Sequence, residues 1–433
     1  MEWYTILLLV TGALLGLMLL GVPILFGLGA IDVALVVLLW GEHGYSLFGS
    51  VPFGEIDNFV LLAVPLFILV GELVVHSRIN RDFFEMANAW LGWLPGGLAV
   101  TTQIMSTIFA AISGASTANT VIIGSVAADE LLKRGYDKRL TAGCIVAGGS
   151  LGMLIPPSTL MILYGVLNQV SIGHLFMGGV MPGLVISALF IAYILTVAIR
   201  TPERALPATG ITWSLRWRTL WKVWAVLLLV LVMLGCIYTG LATPTEVGGL
   251  GALTAMGIAA CYRRLDWRML RGALLNSVRT TGFILWVLVA ALLFGRVLTA
   301  LGVTQALTAH VAGLPLPPWG ILLLVNGLLI VLGALMDPAA IVAVTSPILV
   351  PIMTQLGYDP LWFGIVFMVN MELAFLTPPF GLNLFILKSI APPQMGMDDI
   401  ILGALPFMAL LLFGLGLVMV FPALATWLPA TMR

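Results

Sequence analysis

A chain of 433 residues with 61% hydrophobic and only 9% charged residues, and a mean hydropathy of +1.12, lies far from a soluble globule, whose charged share is about 25%. Its 19 basic and 19 acidic residues cancel to a formal net charge of zero, so composition gives no reason to expect a nucleic-acid or polyanionic partner. The three cysteines (Cys144, Cys236, Cys261) sit in apolar runs without metal or disulfide spacing and read as small core residues.

A membrane crossing takes about 20 apolar residues. In chain order the first half offers spans over 3–20, 22–40 and 58–76, an interrupted segment over 98–126, then spans over 140–169 and 174–199. The opening stretch has no basic flank and no small-residue cleavage site, so it reads as a retained span rather than a signal peptide. The second half offers 223–242, 244–262, 280–298, an interrupted segment over 320–348, then 362–391 and 400–424. The second series is the first series shifted. Gly135-Tyr136-Asp137 returns as Gly357-Tyr358-Asp359, and Pro156-Pro157 returns as Pro378-Pro379, with 357 − 135 = 378 − 156 = 222. The expected organisation is a first repeat over 1–200, with scaffold helices 1–76, an arm 79–96, a hairpin and broken helix 97–169 and a helix 174–199. A cytoplasmic linker covers 201–222. The second repeat covers 223–433, with scaffold helices 223–300, a hairpin 319–352, a broken helix 361–390 and a helix 400–428.

Each half thus has about five crossings and one segment too interrupted to cross cleanly. If that segment is a re-entrant hairpin, the crossings per half are odd, and the second half must insert upside down. Charge tests this. Lys133, Arg134, Lys138 and Arg139 have as images Gln355, Leu356, Pro360 and Leu361, while Arg78 and Arg81 map to Ala300 and Val303. Conversely, Arg263, Arg264, Arg268 and Arg271 map back to a loop carrying Glu42, Glu55 and Asp57 and no basic residue. With Arg200, Arg204, Arg216, Arg218, Lys222 and Lys388, sixteen of the 19 basic residues fall on one side, which the positive-inside rule makes cytoplasmic. Both termini then face outward. A ten- or twelve-span bundle with ordinary glycine kinks is the plainer reading, and it leaves the reversal of charge asymmetry unexplained. The fold class expected is an all-α polytopic membrane protein built from two inverted repeats.

The first interrupted segment centres on Ser113-Gly114-Ala115-Ser116-Thr117-Ala118-Asn119, and the second on Gly333-Ala334-Leu335-Met336-Asp337-Pro338. Breaks free backbone carbonyls, which are tolerated at membrane depth only where protein, water or an ion satisfies them. Carbonyls, hydroxyls and an amide together make the oxygen-only shell a hard cation prefers. Asp337 is an intramembrane carboxylate and so a candidate cation ligand; capping the half-helix that begins at Pro338 is the structural role compatible with it. The proline pairs remove two amide donors from each broken span and expose the carbonyls before them.

Several residues carry less. Residues 81–94 place Phe83, Phe84, Ala87, Trp90 and Leu91 on one helical face, an interfacial amphipathic arm. Asp32, Glu72, Glu246, Arg296 and Glu372 lie at or near membrane depth, where pairing explains them as well as transport does. His43, His76, His174 and His310 fall near span ends without metal spacing. Trp90, Trp93, Trp213, Trp217, Trp221 and Trp224 read as interfacial aromatic belts.

The Ser-Gly-Ala-Ser-Thr-Ala tip at 113–118, the Gly-Tyr-Asp at 135–137, the Gly-Met-Leu-Ile-Pro-Pro-Ser at 152–158 and the Glu-Leu-Ala-Phe-Leu-Thr-Pro-Pro-Phe-Gly-Leu-Asn at 372–383 together resemble the large membrane subunit (M) of tripartite ATP-independent periplasmic (TRAP) transporters, end to end. That resemblance implies a bacterial inner-membrane protein with an elevator mechanism and Na⁺ symport of an organic acid such as a C4-dicarboxylate or sialic acid. It implies a periplasmic substrate-binding protein (P) and a small four-helix membrane subunit (Q) as separate partner chains, and no cofactor beyond sodium. It places one sodium near Ser113, Gly114, Ser116 and Asn119, closed by Gly152 and Pro156. A second falls at Gly333, Ala334 and Asp337, closed by Thr377 and Pro378, with substrate near Ser116, Pro157, Ser158 and Pro379. Ala115 stands where the family often has serine, which removes one hydroxyl. Three other readings remain: a stand-alone divalent-anion/sodium symporter of the same plan, an intramembrane enzyme, for which no nucleophile–base or metal cluster is present, and a passive channel, which paired hairpins suit poorly.

Overall fold

Glycine and proline decide where these helices stop, because glycine adopts left-handed backbone freely and proline donates no amide hydrogen. A computed structural model describes residues 2–56, 58–77, 79–204, 213–221 and 223–432, and among these every regular element is helical. Asp57, Arg78 and Lys222 lie outside the described residues, as do 205–212 of the linker and the side chains of His43, Glu55, Arg81 and Arg204.

Trp3–Leu19 and Ile24–Leu35 open the first half, and Trp224–Tyr238 and Pro244–Cys261 open the second. The hairpin arms are Gly97–Ser113 and Ser116–Lys133, then Pro318–Leu335 and Pro338–Gln355. The second arms repeat residue for residue: 116 + 222 = 338 and 133 + 222 = 355. The broken spans are Lys138–Ser150 with Thr159–Asn168, and Pro360–Ala374 with Leu382–Ile390; the closing helices are Ile172–Arg200 and Met397–Val420. Each hairpin turns within two residues, Gly114-Ala115 or Met336-Asp337. Gly114 takes φ +62, the left-handed region that favours glycine, and Ala115 is extended. Six described helices are long and apolar enough to cross a bilayer; the broken spans reach that length only as pairs of half-helices.

The structure departs from the sequence reading in the scaffold. The span expected at 280–298 is one helix of 34 residues, Trp267–Ala300. Its first-half counterpart is interrupted: Leu47–Ile56 ends, and Ala63–His76 follows a short tight turn over Phe59–Leu62. The difference lies at one position of the repeat. Asn58 is extended, and its side chain accepts the amide of Val60, a start signal; its image, Thr280, lies inside the continuous helix. The arm helix, expected once, occurs twice, as Ile79–Leu91 and Val303–Ala312. The first is less of a membrane-surface helix than expected: Phe83 is fully buried, edge-on to Phe109 of the first hairpin at 5.5 Å.

Several contacts join the halves. Arg264, in a basic loop of the second half, donates to the Asp82 carboxylate at 2.7 Å and the Ser77 carbonyl at 3.0 Å in the first. The Tyr164 hydroxyl donates to the Pro360 carbonyl at 2.9 Å, and the Asn168 amide to the Ser346 hydroxyl at 3.0 Å. Trp90 of the arm donates to the Arg216 carbonyl, and Arg216 to the Ala89 carbonyl, fastening the linker helix Trp213–Leu220 to the arm.

Candidate ion and substrate site at the hairpin tips

The first tip is held by the break in its own half. The Gly114 carbonyl accepts from both the amide and the hydroxyl of Thr159, each at 3.2 Å. That engages both of its lone pairs and fixes the tip against the broken span. Gly152 faces the tip so closely that a Cβ there would sit 2.9 Å from the Ala115 carbonyl carbon and 3.0 Å from the Ser116 amide. Pro156, Pro157 and Ser158 are buried beneath it, and a Cβ on Gly114 would lie 2.8 Å from the Pro157 carbonyl. Ser158 caps Thr159–Asn168 through the Met161 amide. Ser113, Gly114, Ser116, Asn119 and Gly152 thus meet at one place, with Pro156 next in the chain to the Pro157 that faces Gly114.

Asn119 gives that place its chemistry. Fully buried, it donates to the carbonyls of Ser106 (3.0 Å), Gly148 (3.2 Å) and Gly149 (3.4 Å). Three acceptors around the amide nitrogen fix which way the side chain points. Its oxygen is buried and has no donor. A buried, unpaired oxygen costs about 1–3 kcal/mol, a cost that a cation bound there would remove.

The second tip repeats the docking with different residues. The Ala334 carbonyl accepts from the Phe380 amide at 3.1 Å, and Gly333 meets Ala374, where a Cβ would lie 2.7 Å from the alanine's own. Asp337 caps Pro338–Gln355 by accepting from the Ala339 amide at 2.9 Å. The Thr377 hydroxyl is turned back onto the Leu373 carbonyl at 2.7 Å. Gly333, Ala334, Asp337, Thr377 and Pro378 therefore flank one tip. Pro379, beside them, is exposed while Pro157 and Ser158 are buried.

Sequence reasoning passed over Asn383. From the second half it reaches the first tip, donating to the Ser116 hydroxyl at 2.8 Å and the Val146 carbonyl at 3.3 Å. Its own oxygen is buried and unpaired, like that of Asn119. An amide just past the proline pair, at mid-membrane, was the available signal. Glu372 is fully buried with both carboxylate oxygens unpaired, as is Asp32 in the scaffold. Among the described residues no group of three His, Cys, Asp or Glu gathers, so the donors at the tips are mostly neutral oxygens.

Residues 11–424 match the family described as tripartite ATP-independent periplasmic transporter, DctM component. The C4-dicarboxylate TRAP transporter large permease protein DctM of Pseudomonas aeruginosa is 36% identical, with 92% of each chain covered. The Rhodobacter capsulatus protein of that name is 34% identical over 98% of each, and the sialic acid large permease SiaM of Vibrio cholerae 28% over 96%. Among solved structures, the YdaH transporter of Alcanivorax borkumensis superposes with a TM-score of 0.61 at 15% identity, covering 90% of each chain; that likeness concerns the fold. With its helical spans, twin docked hairpins and this kinship, the chain is an inner-membrane transport protein, not an enzyme, and belongs to the DctM family of large TRAP permease subunits.

Proposed function

We propose that this chain carries a small organic acid inward, driven by sodium and delivered by a periplasmic binding protein, with a small membrane subunit alongside. Its relatives are named for C4-dicarboxylates and sialic acid, so a carboxylate is the substrate class. The observation that carries the sodium reading is the Asn119 oxygen, buried and unpaired beside the first tip. A monovalent hard cation suits such neutral oxygens. Each hairpin leans on its own broken span and is tied to the broken span of the other half, Ser116 to Asn383 and Ser346 to Asn168, while Tyr164 joins the two broken spans through Pro360; this favours movement of the group as one body against the scaffold helices. In that elevator, ion and acid bind between the tips near Ser116 and Pro379, and the load crosses with the body that holds it.

The test is uptake of labelled succinate and N-acetylneuraminate into proteoliposomes holding this chain with its binding protein and small membrane subunit. Uptake is expected to require an inward sodium gradient; equal uptake in potassium would refute the coupling. Uptake by this chain alone would instead favour a stand-alone divalent-anion/sodium symporter.

Asn383→Ala frees the Ser116 hydroxyl and cuts the link between the halves at the first tip. Losing one buried hydrogen bond of about 1 kcal/mol predicts roughly fivefold weaker sodium dependence, with folding retained. The half-saturating sodium concentration for uptake measures it.

A further inference from the structure

We propose that Asn326 and Asn370 form a cation site in the seam between the second hairpin and its broken span, taking a sodium ion separate from those at the tips. This deepens the sodium reading above and rests on it. Asn326 lies on the first arm, Pro318–Leu335, and Asn370 on the half-helix Pro360–Ala374; both are buried. The Asn370 amide nitrogen donates to the Asn326 side-chain oxygen at 2.6 Å and to the Val366 carbonyl at 3.0 Å. The Asn326 nitrogen donates to the Leu322 carbonyl at 2.7 Å. Carbonyls only accept, so Val366 and Leu322 fix which way both amides point. The Asn370 oxygen is left buried with no donor.

The repeat gives this oxygen its meaning. The offset of 222 carries Asn119 to Ile341, and it carries Gly148, one of the carbonyls that hold Asn119, to Asn370. The first half therefore presents an unpaired amide oxygen from its hairpin, and the second half from the span that faces the hairpin. Both seams hold the same kind of ligand, supplied from opposite walls; a leucine would fill either place without leaving an oxygen unpaired. Asn370 and Ala374 share a helix face, and Ala374 meets Gly333 near the tip, so the seam site stands about 6 Å along the span from that contact. Pro318–Leu335 and Pro338–Gln355 carry no charged residue, and Glu372 projects about 200° around the helix from Asn370. Neutral oxygens without a carboxylate suit a monovalent hard cation rather than a divalent one. A bare sodium ion is also smaller than the water molecule that would otherwise fill the place.

The experiment uses the full chain with its small membrane subunit, and compares Asn370→Ala, Asn370→Leu and the double variant Asn326→Leu with Asn370→Leu. The double variant replaces both partners of the buried pair by apolar groups of similar size, a change that is close to neutral for folding. Radioactive sodium bound at equilibrium and thermal unfolding in sodium or potassium chloride are measured in detergent. In all three variants bound sodium is expected to fall by about one ion per chain, and the rise in unfolding midpoint that sodium gives the unaltered chain is expected to shrink. In potassium the double variant is expected to unfold where the unaltered chain does. In proteoliposomes with the binding protein, uptake is expected to depend less steeply on sodium, with half-saturation about tenfold higher. Unchanged bound sodium in the variants overturns the proposal. So does a midpoint that drops equally in sodium and potassium, the mark of a purely structural pair or of an ordered water. Sodium binding lost in the variants, alongside uptake by the unaltered chain that ignores a sodium gradient, would sink the coupling reading while leaving this site standing.

Discussion

Asp337→Asn is expected to lower sodium-driven uptake by roughly a hundredfold while leaving the protein as stable as before. Two roles meet in this side chain, and the substitution divides them. As the cap of Pro338–Gln355 it accepts the Ala339 amide, and asparagine caps as well as aspartate. As a charge beside the second tip it contributes an anionic oxygen that asparagine lacks. Interactions with a charged group are worth about 3 kcal/mol at the upper end, a factor of roughly a hundred. Asp337→Ala removes both roles and is expected to cost about 1 kcal/mol of stability as well. Thermal unfolding in detergent, set beside sodium-dependent uptake, reads the two effects separately. Full sodium dependence in Asp337→Asn would take this carboxylate out of the ion site.

Gly152→Ala is the second large effect expected. The added methyl would lie 2.9–3.0 Å from backbone atoms of Ala115 and Ser116. These are not flexible ends of side chains, so the tip itself must shift. Overpacking of this kind costs about 1–3 kcal/mol, and the shift displaces Ser116 and its neighbours from the proposed ion site. Sodium affinity is expected to fall at least about tenfold with expression intact. Gly249→Ala, where nothing lies within 4 Å, is the control: it is expected to leave uptake unchanged. Equal activity in both variants would mean that the tip does not depend on close docking at Gly152.

Much of the site was legible because breaks in membrane helices leave a strong local mark. The tips at 113–119 and 333–338 and the proline pairs were visible as glycine, proline and small polar residues in apolar surroundings. The constant offset of 222 located each against its counterpart. What stayed hidden depends on contacts between distant residues. Ser116 and Asn383 are 267 positions apart, and no periodicity announces their hydrogen bond. The engagement of the Gly114 carbonyl by Thr159 was equally invisible, since the two residues lie 45 positions apart. Residues 267–279 were passed over as span because Arg268, Arg271 and Arg279 dilute their hydropathy, although the helix runs through them. The second arm helix, Val303–Ala312, was missed because a ten-residue helix gives little hydropathy signal.

That long helix bears on the energetics of the cycle. At 1.5 Å per residue it reaches about 50 Å, well beyond the roughly 30 Å hydrocarbon layer, while its twin bends at Asn58. A protein made of two identical inverted copies would have inward- and outward-facing forms of equal free energy, interconverted by exchanging the conformations of the copies. One rigid strut facing one jointed strut removes that degeneracy. In the proposed elevator the resting population is therefore tilted toward one face of the membrane before any ion or acid binds.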